Sequence, residues 1–163
     1  KVRVNMGSPV LEAAEIPVVA SQSPVVDTPI AVDGREYRMT CVSMGNPHAV
    51  TFVENVMEYP IEKYGRVSEF HPIFPDRVNT EFVEIVDDSH VKMRVWERGS
   101  GETLACGTGA CAAAVCAIQQ KGMENKVLAE VPGGTLTISW NGNGEAVFLS
   151  GPAEFICDAF AAN

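Results

Sequence analysis

Residues 110–118 form an apolar, alanine-rich run that constrains the fold more than any other part of the sequence. Alanine has a high helix propensity, so the run predicts a helix. Its residues are apolar on nearly every side, and such a helix is stable in water only when other elements cover all of its faces. The chain must therefore supply enough further structure to surround one central helix.

Cys106 and the motif Gly107-Thr108-Gly109 stand directly before this run. Glycine lets backbone N–H groups approach a ligand closely, and the N-terminus of a helix carries a partial positive charge. Together these effects predict a Cys106 thiol with a lowered pKa and a binding place for a carboxylate or an oxyanion. The common alternative is a small buried cysteine at a tight turn, because free cysteines usually serve as small apolar residues.

Composition narrows the class of protein. The 163 residues are 46% hydrophobic and 20% charged, which is typical of a globular protein with one core or two small ones. The net charge of −9 argues against a nucleic-acid surface, and no run of about 18 apolar residues predicts a transmembrane helix. Residues 1–6 resemble neither a signal peptide nor a natural chain start, so we expect a piece of a longer protein.

The five cysteines and three histidines do not predict a metal site. Cys106, Cys111 and Cys116 are five residues apart on one predicted helix and therefore point in different directions. No histidine lies close to a cysteine in the sequence, which argues against zinc. Reduced thiols and the lack of an export signal favour the cytoplasm.

The remaining pattern predicts an α+β fold: an antiparallel-rich β-barrel wrapped around the central apolar helix. A second helix is expected at residues 57–70, where Ile61, Tyr64 and Val67 share one side and should face the sheet. Residues 8–33 show no clear period and are expected to be extended edge segments and loops. Strands are predicted at residues 2–6, 36–44, 49–53, 79–86, 90–96, 126–131, 134–140, 146–150 and 153–157.

Three further motifs carry polar side chains that suit a site. Asn46 and His48 lie in a turn between two predicted strands, Asn79 precedes another strand, and Glu97-Arg98 ends the strand before the glycine-rich turn. Each also has a plain structural interpretation as a turn, a strand start or a surface ion pair. The position of the Glu97-Arg98 pair near Cys106 in the sequence favours contact with a ligand.

Together with Cys106, these motifs resemble the C-terminal half of the diaminopimelate epimerases, a family of cofactor-independent amino-acid epimerases. The resemblance covers nearly the whole chain, and the motifs have the order and spacing of the family. It rests on Asn5-Met6-Gly7-Ser8-Pro9, Met44-Gly45-Asn46-Pro47-His48, Arg77-Val78-Asn79-Thr80-Glu81, Trp96-Glu97-Arg98-Gly99-Ser100-Gly101-Glu102-Thr103 and Ala105-Cys106-Gly107-Thr108-Gly109-Ala110-Cys111-Ala112.

The resemblance implies a role for each motif. Cys106 would be one of two catalytic thiols, and His48 and Glu97 would poise the reacting groups. The reaction would convert LL-diaminopimelate to meso-diaminopimelate for the synthesis of lysine and peptidoglycan precursors, with no cofactor and no metal. Contacts with this amino-acid substrate would come from Asn46, Asn79, Glu97, Arg98, Gly107 and Thr108.

The resemblance also implies two similar domains, each a β-barrel around a helix, with the site between them. Residues 1–163 would be the C-terminal domain, and residues 1–8 and 152–163 are candidates for interdomain segments. The second thiol would belong to an N-terminal domain that precedes Lys1. We therefore expect the chain alone to be inactive. A homodimer is a separate expectation for the full-length protein.

Three alternatives stay open at this point. Cys106 with His48 or His71 as a base, and Asn79 as the orienting residue, would suit an acyl-transfer hydrolase. A related isomerase of the proline racemase or phenazine-biosynthesis type would have the same fold. The third alternative is a non-catalytic half site that retains affinity for carboxylates.

Overall fold

The protein has an α+β fold in which one ten-stranded mixed sheet separates two helices. The computed structural model describes residues 1–142 and 144–156. The helices are α1 (Ile61–Glu69) and α2 (Gly107–Lys121), and a short 3₁₀ helix spans Ala13–Glu15. The strands are β1 (Val2–Asn5), β2 (Thr28–Val32), β3 (Arg35–Ser43), β4 (Pro47–Phe52), β5 (Asn79–Asp87), β6 (His90–Glu97), β7 (Gly101–Thr103), β8 (Lys126–Val131), β9 (Gly134–Ser139) and β10 (Phe148–Gly151).

The sheet is open, so the predicted closed barrel is not confirmed. Its order is β1-β10-β9-β8-β6-β5-β4-β3-β2 with β7 beside β6, and the outer strands β1 and β2 do not pair with each other in the described part of the chain. Neighbouring strands are antiparallel, as predicted, except for the parallel pairs β4–β5 and β6–β8. A parallel pair needs a crossover connection, and the two crossovers contain α1 and α2.

Helix α2 has the central position that its composition predicts. Cys106 is its N-cap residue, and Gly122 ends it in the left-handed conformation that glycine adopts without steric cost. Residues 109–117 are all buried. The helix packs against β3, β4, β5, β6, β8, β9 and β10, which are consecutive in the sheet. The sheet must therefore curve around α2, although it does not close.

Helix α1 is shorter than the helix predicted at residues 57–70. It begins directly after Pro60, because a proline ring disfavours helical geometry in the residue before it. Val67 is 38% exposed, so the predicted apolar side is only partly correct. The residues that α1 buries are Ile61, Gly65, Ser68 and Glu69.

The strand predictions are largely confirmed, with three differences. Strand β2 lies inside residues 8–33, and its Pro29 is compatible with a strand because β2 is at the edge of the sheet. Strand β7 is a three-residue strand inside the glycine-rich turn. Residues 153–156 form no strand, and Cys157, like the rest of the candidate interdomain segment to residue 163, lies outside the described residues.

Two hydrophobic clusters lie on opposite faces of the sheet. Adjacent residues of a strand point to opposite faces, so Val83 packs in the cluster around α2 while Phe82 packs in the cluster that contains Ile61 of α1. The α2 cluster is the inner core, and the α1 cluster is the outer core. Neither helix in the described part of the chain has the length and hydrophobicity of a membrane span.

Candidate active site

Cys106 lies at the start of α2, where the sequence predicts a reactive thiol. Its Sγ accepts a hydrogen bond from Gly109 N at 3.3 Å and lies 3.4 Å from Thr108 Oγ1, so the sulfur caps the first helical turn. Among the described residues, the backbone N–H groups of Gly107 and Thr108 have no acceptor. These two donors are available to an anion at the positive end of the helix.

The pKa of Cys106 is raised, so the predicted lowering is wrong. Cys106 is 8% exposed, and burial disfavours the thiolate more than the hydrogen bonds from Thr108 and Gly109 favour it. The Glu97 carboxylate also raises this pKa. The prediction considers the helix terminus alone, whereas the depth of the sulfur below the surface decides the sign of the shift.

His48 is completely buried and has a polar partner at each ring nitrogen. Its Nδ1 lies 2.7 Å from Glu81 Oε1, and its Nε2 lies 3.0 Å from Asn46 Oδ1. Burial lowers the pKa of His48 to about 3, and burial raises the pKa of Glu81 well above its usual range. The imidazole and the carboxyl are therefore both uncharged at neutral pH.

The parallel pairing of β4 and β5 brings these residues together. His48 is opposite Asn79 in the register, and Glu81 lies two residues farther along the same face of β5. That face is directed toward α2, because Val50 and Val83 on it pack in the inner core. The site residues of both strands therefore lie on the side of the sheet that also holds Cys106.

Glu81 is the site residue that sequence reasoning misses. The signal for it is a charged residue two positions after Asn79 and on the same face of β5; its neighbours Thr80 and Phe82 share the opposite face and are completely buried. A Cβ added to Gly109 would lie 2.7 Å from Glu81 Oε1 and 3.2 Å from Cys106 Sγ. The carboxyl and the thiol thus border the same gap, and a glycine at 109 is required to leave that gap open.

Asn79 connects three segments of the site. Its Nδ2 donates to Pro47 O at 2.8 Å, and its Oδ1 accepts from Arg98 N at 3.0 Å. The start of β4, the start of β5 and the turn after β6 are therefore held in one arrangement. The Arg98 side chain is exposed and donates to Asp76 O at 2.9 Å, while the Glu97 carboxylate accepts a hydrogen bond from Thr103 Oγ1.

Glu69 of α1 supports the same turn from the outer core. Its carboxylate accepts hydrogen bonds from Trp96 Nε1 and Gly99 N, each at 2.8 Å, and lies 3.3 Å from Arg77 Nη1. Trp96 precedes Glu97, and Gly99 follows Arg98. Glu69 is thus a second buried carboxylate that the sequence analysis leaves without a role, and it holds both ends of the Glu97-Arg98 turn.

The structure brings the predicted residues together and separates His71 from them. The His71 ring is hydrogen-bonded to Ala31 O and Ile73 N. The sulfur of Cys106 contacts Thr108 and Gly109 and no histidine among the described residues. The geometry therefore gives the acyl-transfer alternative no base.

A cavity of about 660 Å³ beside Arg35 and Tyr37 is lined by none of the predicted site residues.

Comparisons with known proteins identify the family of the chain. The family model described as diaminopimelate epimerase matches residues 40–156, a segment that contains all of the predicted site residues. The chain belongs to the diaminopimelate epimerase family. The diaminopimelate epimerases of Methanococcus maripaludis strain C6 and Acetivibrio thermocellus are each 51% identical to it over 93% of this chain, and that of Azotobacter vinelandii is 52% identical over 94%.

The chain spans about half the length of these relatives, namely 55%, 54% and 55% of the three diaminopimelate epimerases. Among solved structures, a probable proline racemase from Agrobacterium radiobacter K84 matches 90% of this chain and 49% of that chain, with a TM-score of 0.60 and 14% identity. A hydroxyproline epimerase from Agrobacterium vitis matches 76% of this chain and 44% of that chain, with a TM-score of 0.51 and 19% identity. At these identities the similarity to the two structures concerns the fold alone.

Proposed function

We propose that the full-length protein epimerises LL-diaminopimelate to meso-diaminopimelate without a cofactor, and that this chain supplies one of the two thiols. The observation that carries the proposal is the position of Cys106. Its sulfur caps the first turn of α2, whose Gly107 and Thr108 N–H groups have no acceptor among the described residues, and it borders the same gap as the buried carboxyl of Glu81. Membership of the diaminopimelate epimerase family supports the same substrate class.

Epimerisation needs two groups on opposite faces of the α-carbon. One thiolate removes the α-proton and becomes a thiol, and the C–H electron pair stays on the carbon. The opposite thiol then donates its proton to the other face and becomes a thiolate, so the protein ends with the same total number of protons. Donors fixed in place before the reaction stabilise the negative charge that develops between these steps.

Cys106 is the proton donor of the resting protein in this scheme. Burial raises its pKa, so it holds its proton at neutral pH, and the base is the second thiol. The opposite substrate hand reverses the two roles. In the family resemblance the second thiol belongs to the N-terminal domain, which we propose as the partner that completes the site.

The other predicted residues have binding or poising roles in the proposal. The substrate α-carboxylate binds the N–H groups of Gly107 and Thr108, near Arg98. The amides of Asn46 and Asn79 and the carboxylate of Glu97 contact the remaining polar groups. His48 and Glu97 influence the charge at the thiols. Location in the cytoplasm is part of the proposal and is supported by the free thiols of Cys41, Cys106, Cys111 and Cys116.

The division into domains and the homodimer stay predictions. Residues 1–163 act as the C-terminal domain of the proposed enzyme, and residues 1–8 and 152–163 are its candidate interdomain segments.

Solvent-deuterium exchange at the substrate α-carbon tests the proposal. LL-diaminopimelate is incubated in deuterated water with the full-length protein or with this chain, and α-deuterium is measured by mass spectrometry. We expect exchange by the full-length protein and none by the chain. Exchange at a similar rate by the chain alone would overturn the requirement for two thiols.

Two matched variants of the full-length protein test the assignment of Cys106. Cys106→Ala should abolish exchange, whereas Cys111→Ala should retain it, because Cys111 is completely buried in the same helix. If Cys106→Ala exchanges as fast as Cys111→Ala, Cys106 is not a catalytic thiol.

A further inference from the structure

Glu81 is a completely buried carboxyl group whose two oxygens have unequal surroundings. Oε1 lies 2.7 Å from His48 Nδ1, whereas Oε2 is buried without a hydrogen-bond partner among the described residues. The proposed reaction does not require this group. Its contact with His48 nevertheless connects it to Asn46, which is half-buried at the edge of the site.

The hydrogen bonds between Glu81, His48 and Asn46 determine where the protons of these groups lie. A neutral imidazole carries one N–H, and the other ring nitrogen accepts. Asn46 Oδ1 is an acceptor, so the His48 proton lies on Nε2 and Nδ1 is bare. A bare Nδ1 that is 2.7 Å from a carboxyl oxygen needs that oxygen to bring the proton. Glu81 is then a carboxylic acid.

The two ionised arrangements are less favourable in this place. A carboxylate at Glu81, facing either a neutral imidazole or an imidazolium, would bury a charged group whose Oε2 has no donor among the described residues. Burying a charge that is not fully hydrogen-bonded costs far more than burying a neutral acid. The raised pKa of Glu81 and the lowered pKa of His48 have the same physical origin, which is burial.

The arrangement has a consequence at the surface of the site. Because Asn46 Oδ1 accepts from His48, the Asn46 amide has its Nδ2 on the opposite side, and this group donates to no described residue. Its two N–H bonds are therefore available to an acceptor on a ligand. If the His48 proton were on Nδ1 instead of Nε2, the Asn46 amide would rotate so that its Nδ2 donates to His48 Nε2. The amide oxygen would then face the ligand.

We infer that Glu81 is a positioning residue: it donates a hydrogen bond to His48 Nδ1, keeps the imidazole in its Nε2–H form, and thereby directs the Asn46 amide N–H groups toward the ligand. The inference depends on the proposed function only for the identity of that ligand. The second carboxylate of diaminopimelate, which does not bind at the start of α2, suits a pair of amide donors.

Nitrogen-15 NMR of the histidine side chains in this chain tests the inference without any substrate. We expect a bare Nδ1 and a protonated Nε2 on His48 at neutral pH. A proton on Nδ1 would overturn the inference, whether His48 is neutral or charged. His71→Gln and His90→Gln variants identify the His48 signals.

Variants of Glu81 provide a second test, again by the position of the His48 proton in nitrogen-15 NMR. Glu81→Gln keeps an N–H donor for Nδ1 and should preserve the Nε2–H form, whereas Glu81→Met has a similar volume but no donor and should give a mixture of both forms. Glu84→Gln on the same strand is the control, because its side chain binds Val56 N instead. If Glu81→Gln gives the same mixture as Glu81→Met, or if Glu81→Met keeps the pure form, Glu81 does not set the proton position.

The kinetics of α-deuterium exchange by the full-length protein test whether Glu81 affects ligand binding through Asn46. Glu81→Met should raise KM roughly tenfold, the value of about one hydrogen bond to a charged group, with a smaller change in kcat. Glu81→Gln should restore the KM of the unaltered protein. If the full-length protein exchanges no deuterium, the proposed function fails while the NMR result still decides the role of Glu81. An unchanged KM in Glu81→Met would overturn the effect on Asn46.

Discussion

The outer and inner cores each contain one buried carboxyl group beneath the same site, and the two groups are in opposite states. Glu69 in the outer core is 3% exposed and Glu81 in the inner core is fully buried. Burial acts to raise the pKa of Glu69, but hydrogen bonds from Trp96, Gly99 and Arg77 outweigh it and hold the pKa below its usual value. Burial raises the pKa of Glu81, which has His48 as its partner.

The difference shows that the number of donors, and not depth alone, decides whether a buried carboxyl is charged. Three donors keep Glu69 ionised, and the ionised group anchors the turn that holds Glu97 and Arg98. A single ring nitrogen leaves Glu81 neutral, and the neutral group can act as a donor. The ionised state of Glu69 matches its three donors, and the neutral state of Glu81 matches its single contact with the His48 ring.

The largest expected effect comes from removing the outer carboxylate. Glu69→Ala should lower the free energy of unfolding by about 3 kcal/mol, because it removes the charged acceptor of three partly buried hydrogen bonds. Glu69→Gln keeps a carbonyl oxygen and should cost roughly half as much. Urea denaturation measures both. Glu62→Ala on the exposed side of α1 is the control and should change stability by less than about 0.5 kcal/mol. Equal losses in Glu69→Ala and Glu62→Ala would contradict the anchoring role.

A smaller effect is expected when the gap beside the inner carboxyl is filled. Gly109→Ala places a Cβ 2.7 Å from Glu81 Oε1 and should destabilise the chain by about 2 kcal/mol through overpacking. Gly107→Ala is the matched control in the same helix, since its Cβ would meet only Leu149 Cδ2, at 3.4 Å. The same denaturation measurement applies. A Gly109→Ala chain as stable as Gly107→Ala would show that the gap is not tightly packed.

The two carboxyls should give pH dependences of opposite sign. Above pH 4.5, its usual pKa, Glu81 keeps its proton in the folded chain and loses it on unfolding, so its contribution to stability falls as pH rises. Glu81→Gln should therefore gain stability relative to the unaltered chain between pH 4.5 and 7. Glu69 has the lowered pKa, so its stabilisation is present above pH 4.5 and is lost as the pH falls through its folded pKa. The gap between Glu69→Gln and the unaltered chain should close in acid. Parallel pH profiles for the two variants would contradict the assigned protonation states.

The smallest effect concerns the thiol. Glu97 raises the pKa of Cys106, so Glu97→Gln should increase the thiolate fraction and speed alkylation of Cys106 roughly threefold at neutral pH. Mass spectrometry of the Cys106 peptide after timed treatment with iodoacetamide measures the rate. Glu124→Gln, at an exposed carboxylate, should leave the rate unchanged. A slower reaction in Glu97→Gln would mean that Glu97 lowers the pKa of Cys106 instead of raising it.

Sequence reasoning predicts the parts of the site that depend on neighbours in the chain or on family motifs. The N-cap position of Cys106 follows from the glycine-rich turn and the alanine-rich run, and Asn46, Asn79 and Glu97 follow from the motifs. Glu69 and Glu81 escape prediction because their partners are distant in sequence: His48 and Glu81 are 33 residues apart, and Glu69 and Gly99 are 30 apart. A buried carboxyl has no pattern of its own until the strands are paired.

Local sequence is enough to predict the central helix, the β5–β6 hairpin and most strands, because helix propensity, glycine positions and alternation act over a few residues. Only the folded chain shows that the sheet stays open, that burial raises the pKa values of Cys106 and Glu81, and that hydrogen bonds lower the pKa of Glu69. These properties depend on depth and on partners that only the paired strands and packed helices bring into contact.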